Sequence, residues 1–400
     1  MFTENTKKKK DIKYLCEVKR LKKIIIRGGK ALTRTIIAQG SKNAALPIIA
    51  AGVLLKKRVE LYNIPDISDI QSFIEIINFL GCKTKYKKHT LTIENEDIKN
   101  KNIPKRLTKR TRASFLFYGA LLARFNKAKV SNGGGCKIGK RPLDIHKKAF
   151  EDIKIGKREI LLPFPSVGAT ENLLIYMAGR KEKFIIKNAS VEPEVQDLIN
   201  FLKKAGAKIT RKGRSFFIQG GELKESLKYE IMPDRIVALT YIMAGKITGG
   251  KVVVPNINYK KFIMPILKEK NTKKITTGVH PKFPTDAGAI VLPYLSLQEG
   301  NKIRYKETIF EKRMGILEEL YKAGAEIEIN KNEATITGVK KLTPRKYKGK
   351  DLRMTAGLVL AGLATEGESE ITGIEYLERG YESFVENLKE LGADIEIIEN

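Results

Sequence analysis

The 400-residue sequence predicts an α/β protein built from six βα-type repeats, two of them trimmed, grouped as two domains of three. Three observations carry that prediction. First, six small-residue-rich segments, each opened by polar or charged residues, run into apolar stretches. They begin at Ser41-Lys42-Asn43, Thr111-Arg112-Ala113, Ser166-Val167-Gly168, Pro233-Asp234-Arg235, Pro284-Thr285-Asp286 and Asp351-Leu352-Arg353. These read as buried helices with polar N-termini. Second, four amphipathic helices end at Leu80-Gly81-Cys82, Ala205-Gly206-Ala207, Ala323-Gly324-Ala325 and Leu391-Gly392-Ala393, where glycine supplies a left-handed cap. Alternating residues such as Ile327-Glu328-Ile329-Asn330 follow and read as strands. Third, the openings are evenly spaced: Lys42 to Arg112 is 70 residues, Ser166 to Asp234 is 68 and Asp286 to Arg353 is 67. Arg112 to Ser166 is 54 and Asp234 to Asp286 is 52, so the units opening at Arg112 and Asp234 are the trimmed ones.

A helix N-terminus attracts anions through its free N–H groups and its dipole. If the three buried helices of each domain run parallel, their N-termini converge on one cleft. Lys42, Arg112, Asp286 and Arg353 would then meet in an anion-binding active site between the domains. The expected boundaries are a basic, disordered extension over 1–20, one domain over 21–40 plus 234–400, and a second over 41–233. The second carries Ser131-Asn132-Gly133-Gly134-Gly135-Cys136-Lys137-Ile138-Gly139-Lys140-Arg141, which sets one cysteine in a cationic glycine-rich loop. Lys137, Lys140 and Arg141 are placed to lower the thiol's pKa, and the glycines permit close approach to a ligand. Gly134 to Lys140 also fits the start of a phosphate-binding P-loop. Arg141 stands where that motif needs Ser or Thr, which excludes the ATPase reading.

Lys and Arg number 76 against 45 Asp and Glu, a formal net charge of +31. Lysine is interleaved with acids throughout except at Lys7 to Lys10, and no recognition-helix or RNA-binding signature occurs, so nucleic acid is not the expected partner. The field favours encounter with phosphorylated substrates instead. No apolar run is suited to span a bilayer. Cys16, Cys82 and Cys136 make no disulfide framework, and with the polar N-terminus they point to the cytoplasm. Cys82 reads as a small buried residue. His89, His146 and His280 are isolated, without metal-ligand spacing, and read as surface or supporting residues.

These motifs, taken with Gly134-Gly135-Cys136-Lys137-Ile138-Gly139-Lys140-Arg141-Pro142, Phe283-Pro284-Thr285-Asp286, Phe310-Glu311-Lys312-Arg313 and Arg379-Gly380-Tyr381-Glu382, resemble the UDP-N-acetylglucosamine enolpyruvyl transferase family from about Lys22 to the C-terminus. The resemblance implies a two-domain inside-out α/β barrel. It implies transfer of the enolpyruvyl group of phosphoenolpyruvate to the 3-hydroxyl of UDP-N-acetylglucosamine with release of phosphate, the first committed step of peptidoglycan synthesis. No metal or cofactor is implied. Carried residue by residue, Lys42 and Asn43 match the phosphoenolpyruvate-binding pair and Arg112 a UDP-sugar contact. Cys136 matches the loop thiol that donates a proton. Arg141, Pro142, Leu143, Asp144 and Ile145 match the uridine-diphosphate segment, and Ser166, Val167 and Gly168 a further nucleotide contact. Asp286, as general base, and Ile309 match sugar-facing positions, while Arg313, Arg353 and Arg379 match cations around phosphoenolpyruvate.

The reaction needs these residue types. A phosphate and a carboxylate call for several guanidinium and ammonium partners. Protonation at C3 needs an acid, and the attacking hydroxyl needs a base. Read in isolation, Asp286 is a helix N-cap, Arg353 a local partner of Asp351, and Asp234-Arg235 structural at the domain crossover. Two departures stand out: Phe164 replaces a lysine that relatives carry two residues before Ser-Val-Gly, and Lys312 stands where they often have Asn. The competing readings are an enolpyruvylshikimate-phosphate synthase-like transferase, whose Gly-Asn-Ala-Gly-Thr segment is absent, and a non-catalytic basic binding protein.

Overall fold

The computed structural model describes residues 22–131, 133–134, 143–269 and 273–399. Cys16, Cys136, Arg141, Pro142 and the 1–20 extension lie outside them.

Six helices set the architecture: α1 (Lys42–Gly52), α2 (Leu116–Phe125), α3 (Val167–Ala178), α4 (Arg235–Ile247), α5 (Thr285–Ser296) and α6 (Leu352–Ala364). Apolar or small residues cover nearly every side of each, so the stable place for them is an interior. They form two hydrophobic cores. One gathers Ala44 to Ile231 around α1, α2 and α3; the other joins Ile24–Ala38 to Val237–Ile395 around α4, α5 and α6. Within each core the three helices touch one another. Small residues permit the approach: a Cβ on Gly357 of α6 would stand 2.1 Å from the Ala289 carbonyl of α5.

Four sheets wrap the helices, and all four share one strand order. In each, a parallel pair leads into two antiparallel pairings. The sheets are Leu227–Glu230, Arg58–Tyr62, Thr90–Glu94, Lys83–Lys87; Glu159–Leu161, Lys183–Lys187, Ser215–Gln219, Lys208–Lys212; Lys274–Thr276, Lys302–Lys306, Glu333–Thr337, Glu326–Asn330; and Lys346–Lys348, Gly367–Thr372, Lys22–Gly28, Asp394–Glu399. Among the described residues, the segments after α2 and α4 contribute less. Arg34–Thr35 pairs only with Val252–Val253, and Ile103 makes a single bridge to Val130. The stop glycines Gly81, Gly206, Gly324 and Gly392 have φ of 108°, 123°, 98° and 105°, a backbone region that a side chain would strain.

The chain crosses between the cores twice, side by side. The Ser41 N–H donates to the Met232 carbonyl (2.8 Å) and the Asp234 N–H to the Gln39 carbonyl (2.8 Å). The buried Asp234 carboxylate caps α4 through the N–H groups of Ile236 (2.9 Å) and Val237 (3.0 Å). Its other oxygen accepts from the Lys42 N–H of α1 (3.3 Å). One carboxylate therefore caps a helix in each core.

Asn172 ties α3 to α2 in the same economical way. Its amide donates to the Phe115 carbonyl (2.9 Å) and accepts from the Gly119 N–H (2.9 Å), all fully inside the core. Asn172→Ala removes a buried partner from both backbone groups. The expected cost is about 2–4 kcal/mol, read as a lower urea midpoint; an unchanged midpoint contradicts the bridging role.

Candidate active site

The N-terminal residues of all six buried helices reach one cavity of about 620 Å³ between the two cores. Lys42 and Asn43 come from α1, Val167 and Gly168 from α3, and Arg235 and Ile236 from α4. Thr285 and Asp286 come from α5, and Leu352 and Arg353 from α6. Arg112 belongs to a 3-10 turn, Arg112–Phe115, that leads into α2. Ile309, Arg313, Arg379, Leu143, Ile145 and Ser166 complete the sequence-derived set in the wall. Asp144 does not join it: it starts the helix Asp144–Lys154 with its side chain exposed.

On the cationic side, carboxylates hold the basic groups in place. Asp286 accepts from Arg313 and from Arg353 Nε (3.2 Å), and Arg313 also reaches Asp351 (3.2 Å). Burial alone would raise the Asp286 pKa; Arg313, Arg353 and Lys42 outweigh it and hold the carboxyl well below its usual range. Asp286 is not an N-cap, because these arginines draw its carboxylate away from the backbone and Pro284 stands at the cap position. Arg353 likewise does not pair with Asp351, whose carboxylate accepts the N–H groups of Arg353 (3.0 Å) and Met354 (3.2 Å). Across the cleft, buried Asp69 accepts from Lys42 Nζ (3.3 Å) and from Arg379 Nε (3.2 Å), joining a residue of one core to a residue of the other.

On the side of α3, Ser166 caps the helix by accepting the Ala169 N–H (3.3 Å). Phe164 is 43 % exposed in the same wall. Gly134 lies against Lys109, where a Cβ would stand 1.7 Å from the carbonyl, so the start of the Cys136 loop is rooted beside the Arg112 turn. His146 is buried rather than at the surface. Asn172 donates to its Nδ1 (3.2 Å), which places the ring proton on Nε2. Burial, then Arg112, lowers its pKa to about 4, so the ring is neutral at physiological pH.

The floor holds Glu171, Glu192, Glu194 and Arg235. Arg235 pairs with Glu194 (2.8 Å) and Glu192 (3.0 Å), and Glu192 also accepts the His280 N–H (3.0 Å). Arg235 is thus part of the cavity rather than only of the crossover. Glu171 is 5 % exposed and its Oε1 has no hydrogen-bond partner. Burial, then the nearby Glu194 and Glu192 carboxylates, pushes its pKa well up. Sequence reasoning missed Asp69, Glu171, Glu192 and Glu194. The available signal was a carboxylate on an apolar helix face, as with Asp69 beside Ile70, Phe73 and Ile76. Among the described residues, no group of three or more His, Cys, Asp and Glu is arranged to hold a metal ion. The wall thus combines cations, carboxylates that pair with them and the N-terminal residues of buried helices, a lining that suits an anionic ligand.

Comparison with known proteins adds the chemistry. The family model for EPSP synthase (3-phosphoshikimate 1-carboxyvinyltransferase) matches residues 26–279 and 266–388. The UDP-N-acetylglucosamine 1-carboxyvinyltransferase of Endomicrobium trichonymphae is 39% identical over 94% of this chain and 100% of its own length. UDP-N-acetylglucosamine 1-carboxyvinyltransferase 2 of Caldanaerobacter subterraneus subsp. tengcongensis is 37% identical over 93% and 99%. Among solved structures, the enolpyruvyl transferase NikO from Streptomyces tendae superposes with a TM-score of 0.84 at 21% identity, covering 95% of this chain and 99% of that one. EPSP synthase from Acinetobacter baumannii gives 0.73 at 16% identity, covering 95% and 100%. These two likenesses establish the α/β fold.

Glu171 makes stability depend on pH. Its folded-state pKa lies above the unfolded value, so its contribution is full below about pH 4.3 and is lost as pH rises toward the folded value. Glu171→Gln removes that loss. The expected result is a Tm advantage for the variant that grows from pH 4 to pH 8; a difference constant across that range contradicts the neutral buried carboxyl.

Proposed function

The chain belongs to the UDP-N-acetylglucosamine 1-carboxyvinyltransferase family, and on that premise we propose that it transfers the enolpyruvyl group of phosphoenolpyruvate to the 3-hydroxyl of UDP-N-acetylglucosamine and releases phosphate. In the cell this is the first committed step of peptidoglycan synthesis, carried out in the cytoplasm. The observation that carries the reading is one cavity whose wall holds Lys42, Arg112, Arg313, Arg353 and Arg379 together with Asp286 and the N-terminal residues of the six buried helices. We read the two cores as domains over 21–40 plus 234–400 and over 41–233, each a three-unit half of an inside-out α/β barrel. The strand order shared by four sheets, and the reduced pairing after α2 and α4, support six repeats with two trimmed.

The cations take the two anionic groups of phosphoenolpyruvate: Lys42 with Asn43, Arg313, Arg353 and Arg379. Arg112, Arg141, Pro142, Leu143, Ile145 and Ser166 to Gly168 take the nucleotide diphosphate, with the start of α3 supplying N–H groups in place of the lysine that Phe164 replaces. Ile309 and Asp286 face the sugar. Addition begins with a proton from Cys136 to C3, which makes C2 electrophilic. The sugar 3-oxygen bonds to C2 as its proton passes to Asp286. The tetrahedral phospho-ketal collapses when C3 gives up a proton and the C2–O bond to phosphate breaks. The enol ether is restored and inorganic phosphate leaves. The surrounding guanidinium groups stabilise charge in both steps.

The test is phosphate release from phosphoenolpyruvate with each acceptor. Turnover is expected with UDP-N-acetylglucosamine, and turnover only with shikimate 3-phosphate overturns the choice. Cys136→Ala and Asp286→Ala are each expected to lower kcat by about 10²–10⁴-fold; an unchanged Asp286→Ala rate removes the base assignment. With UDP-N-acetylglucosamine present, fosfomycin is expected to add its mass to the wild type and not to Cys136→Ala.

A further inference from the structure

We propose that Glu307 is the positioning residue for the acceptor sugar: one buried carboxyl sets both the turn that carries Ile309 and the first turn of α5 that carries Asp286. The proposal rests on the transferase reading and extends it to a residue outside the cavity wall.

Glu307 follows the strand Lys302–Lys306 and is 2 % exposed. Its Oε1 accepts from Thr277 Oγ1 (2.9 Å), from the Ile309 N–H (2.7 Å) and from the Phe310 N–H (3.1 Å). Its Oε2 accepts from Thr285 Oγ1 (2.8 Å) and Tyr305 OH (3.2 Å). Thr277 continues the network. Its hydroxyl accepts the Thr308 N–H (2.8 Å), and its carbonyl accepts from the Thr308 hydroxyl (2.7 Å). Three chain segments, at 277, 285 and 307–310, are thereby locked to one group.

Two of those segments form cavity wall: Thr285 with Asp286, and Thr308 with Ile309 and Phe310. Every donor named is neutral, and among the described residues no salt bridge accounts for a carboxyl at this place. Burying a carboxyl costs free energy unless all its acceptor sites are met, and an apolar residue fills a core more cheaply. What five convergent donors add is fixed geometry, because members of a satisfied buried network hold one another in position. The geometry in question is the distance between the Ile309 turn and the Asp286 carboxylate. A sugar lying against Ile309 must present its hydroxyl to that carboxylate. Misplacement by about 1 Å in such an arrangement costs on the order of 10²-fold in rate.

The test compares wild type with Glu307→Gln, which keeps the shape but turns one acceptor oxygen into an amide NH₂. The expected result is a kcat lowered about tenfold or more together with a raised KM for UDP-N-acetylglucosamine, and a KM for phosphoenolpyruvate within about twofold. Thr277→Val, which removes one donor to Glu307 and the acceptor of Thr308, is expected to shift the same KM in the same direction. It decides the matter if Glu307→Gln does not fold. Two results overturn the proposal: both KM values rising together, or neither rising while Tm falls, since a purely structural role predicts those. Wild type without turnover sinks the transferase reading instead. The UDP-N-acetylglucosamine concentration that half-saturates the rise in Tm then decides the role of Glu307, which fails if wild type and variant titrate alike.

Discussion

The carboxylate of Asp234 is the joint on which the two halves of the molecule depend. The chain passes between the cores at residues 39–41 and 232–234, and each passage leads straight into a buried helix. A buried helix start leaves N–H groups that water cannot reach. Asp234 meets this need for α4 with one oxygen and helps meet it for α1 with the other. The two helix starts are therefore held at a fixed separation, and the cavity opens between them. Gly40 makes the close crossing possible, since a Cβ there would stand 1.6 Å from the Asn63 carbonyl.

From that joint the placement of charge follows. The bodies of the six helices are largely apolar, and Lys42, Arg235, Asp286 and Arg353 stand at the ends that face the seam. Charges so enclosed must be compensated, and the partners come from elsewhere in the chain. Asp69 on the helix Ser68–Leu80 serves Lys42 and Arg379; Glu192 and Glu194 serve Arg235; Asp286 and Asp351 serve Arg313. Removing one member of such a set strands the other, at a cost of about 3–5 kcal/mol. The cavity is thus a balanced ionic network, and several of its pairs join the two cores. An anionic ligand enters by competing for cations that already have partners.

Local rules made the helix ends legible. Gly81, Gly206, Gly324 and Gly392 announce left-handed caps because only glycine adopts them without strain. The small-residue openings announce buried helix starts because bulky or charged flanks would prevent burial. Lys42, Arg112, Asp286 and Arg353 were placed together by that periodic pattern alone. The supporting carboxylates were harder to see. Asp286 has the local signature of a cap, and only Arg313 and Arg353, 27 and 67 residues away, turn its side chain into the cavity. His146 looks like any histidine on a polar helix until Asn172, 26 residues on, folds over its Nδ1. Glu307 belongs to no recognisable motif, because its meaning lies in five donors brought together from separate segments. Such partnerships exist only in three dimensions.

The strong depression of the Asp286 pKa bears directly on its proposed work as a base. Beside Arg313, Arg353 and Lys42, the carboxylate is fully ionised yet a poor acceptor of a proton. The same cations are the proposed partners of phosphoenolpyruvate. A dianionic phosphate and a carboxylate bound among them offset their field at Asp286, because opposite charges lower a carboxyl pKa and added negative charge raises it. The base therefore gains strength when the electrophile is in place. On the proposed assignment, the sugar hydroxyl meets a weaker base without phosphoenolpyruvate than with it. Phosphoenolpyruvate by itself meets no activated nucleophile. On that assignment, the arginine cluster in this way couples the occupancy of one substrate to the reactivity of the other.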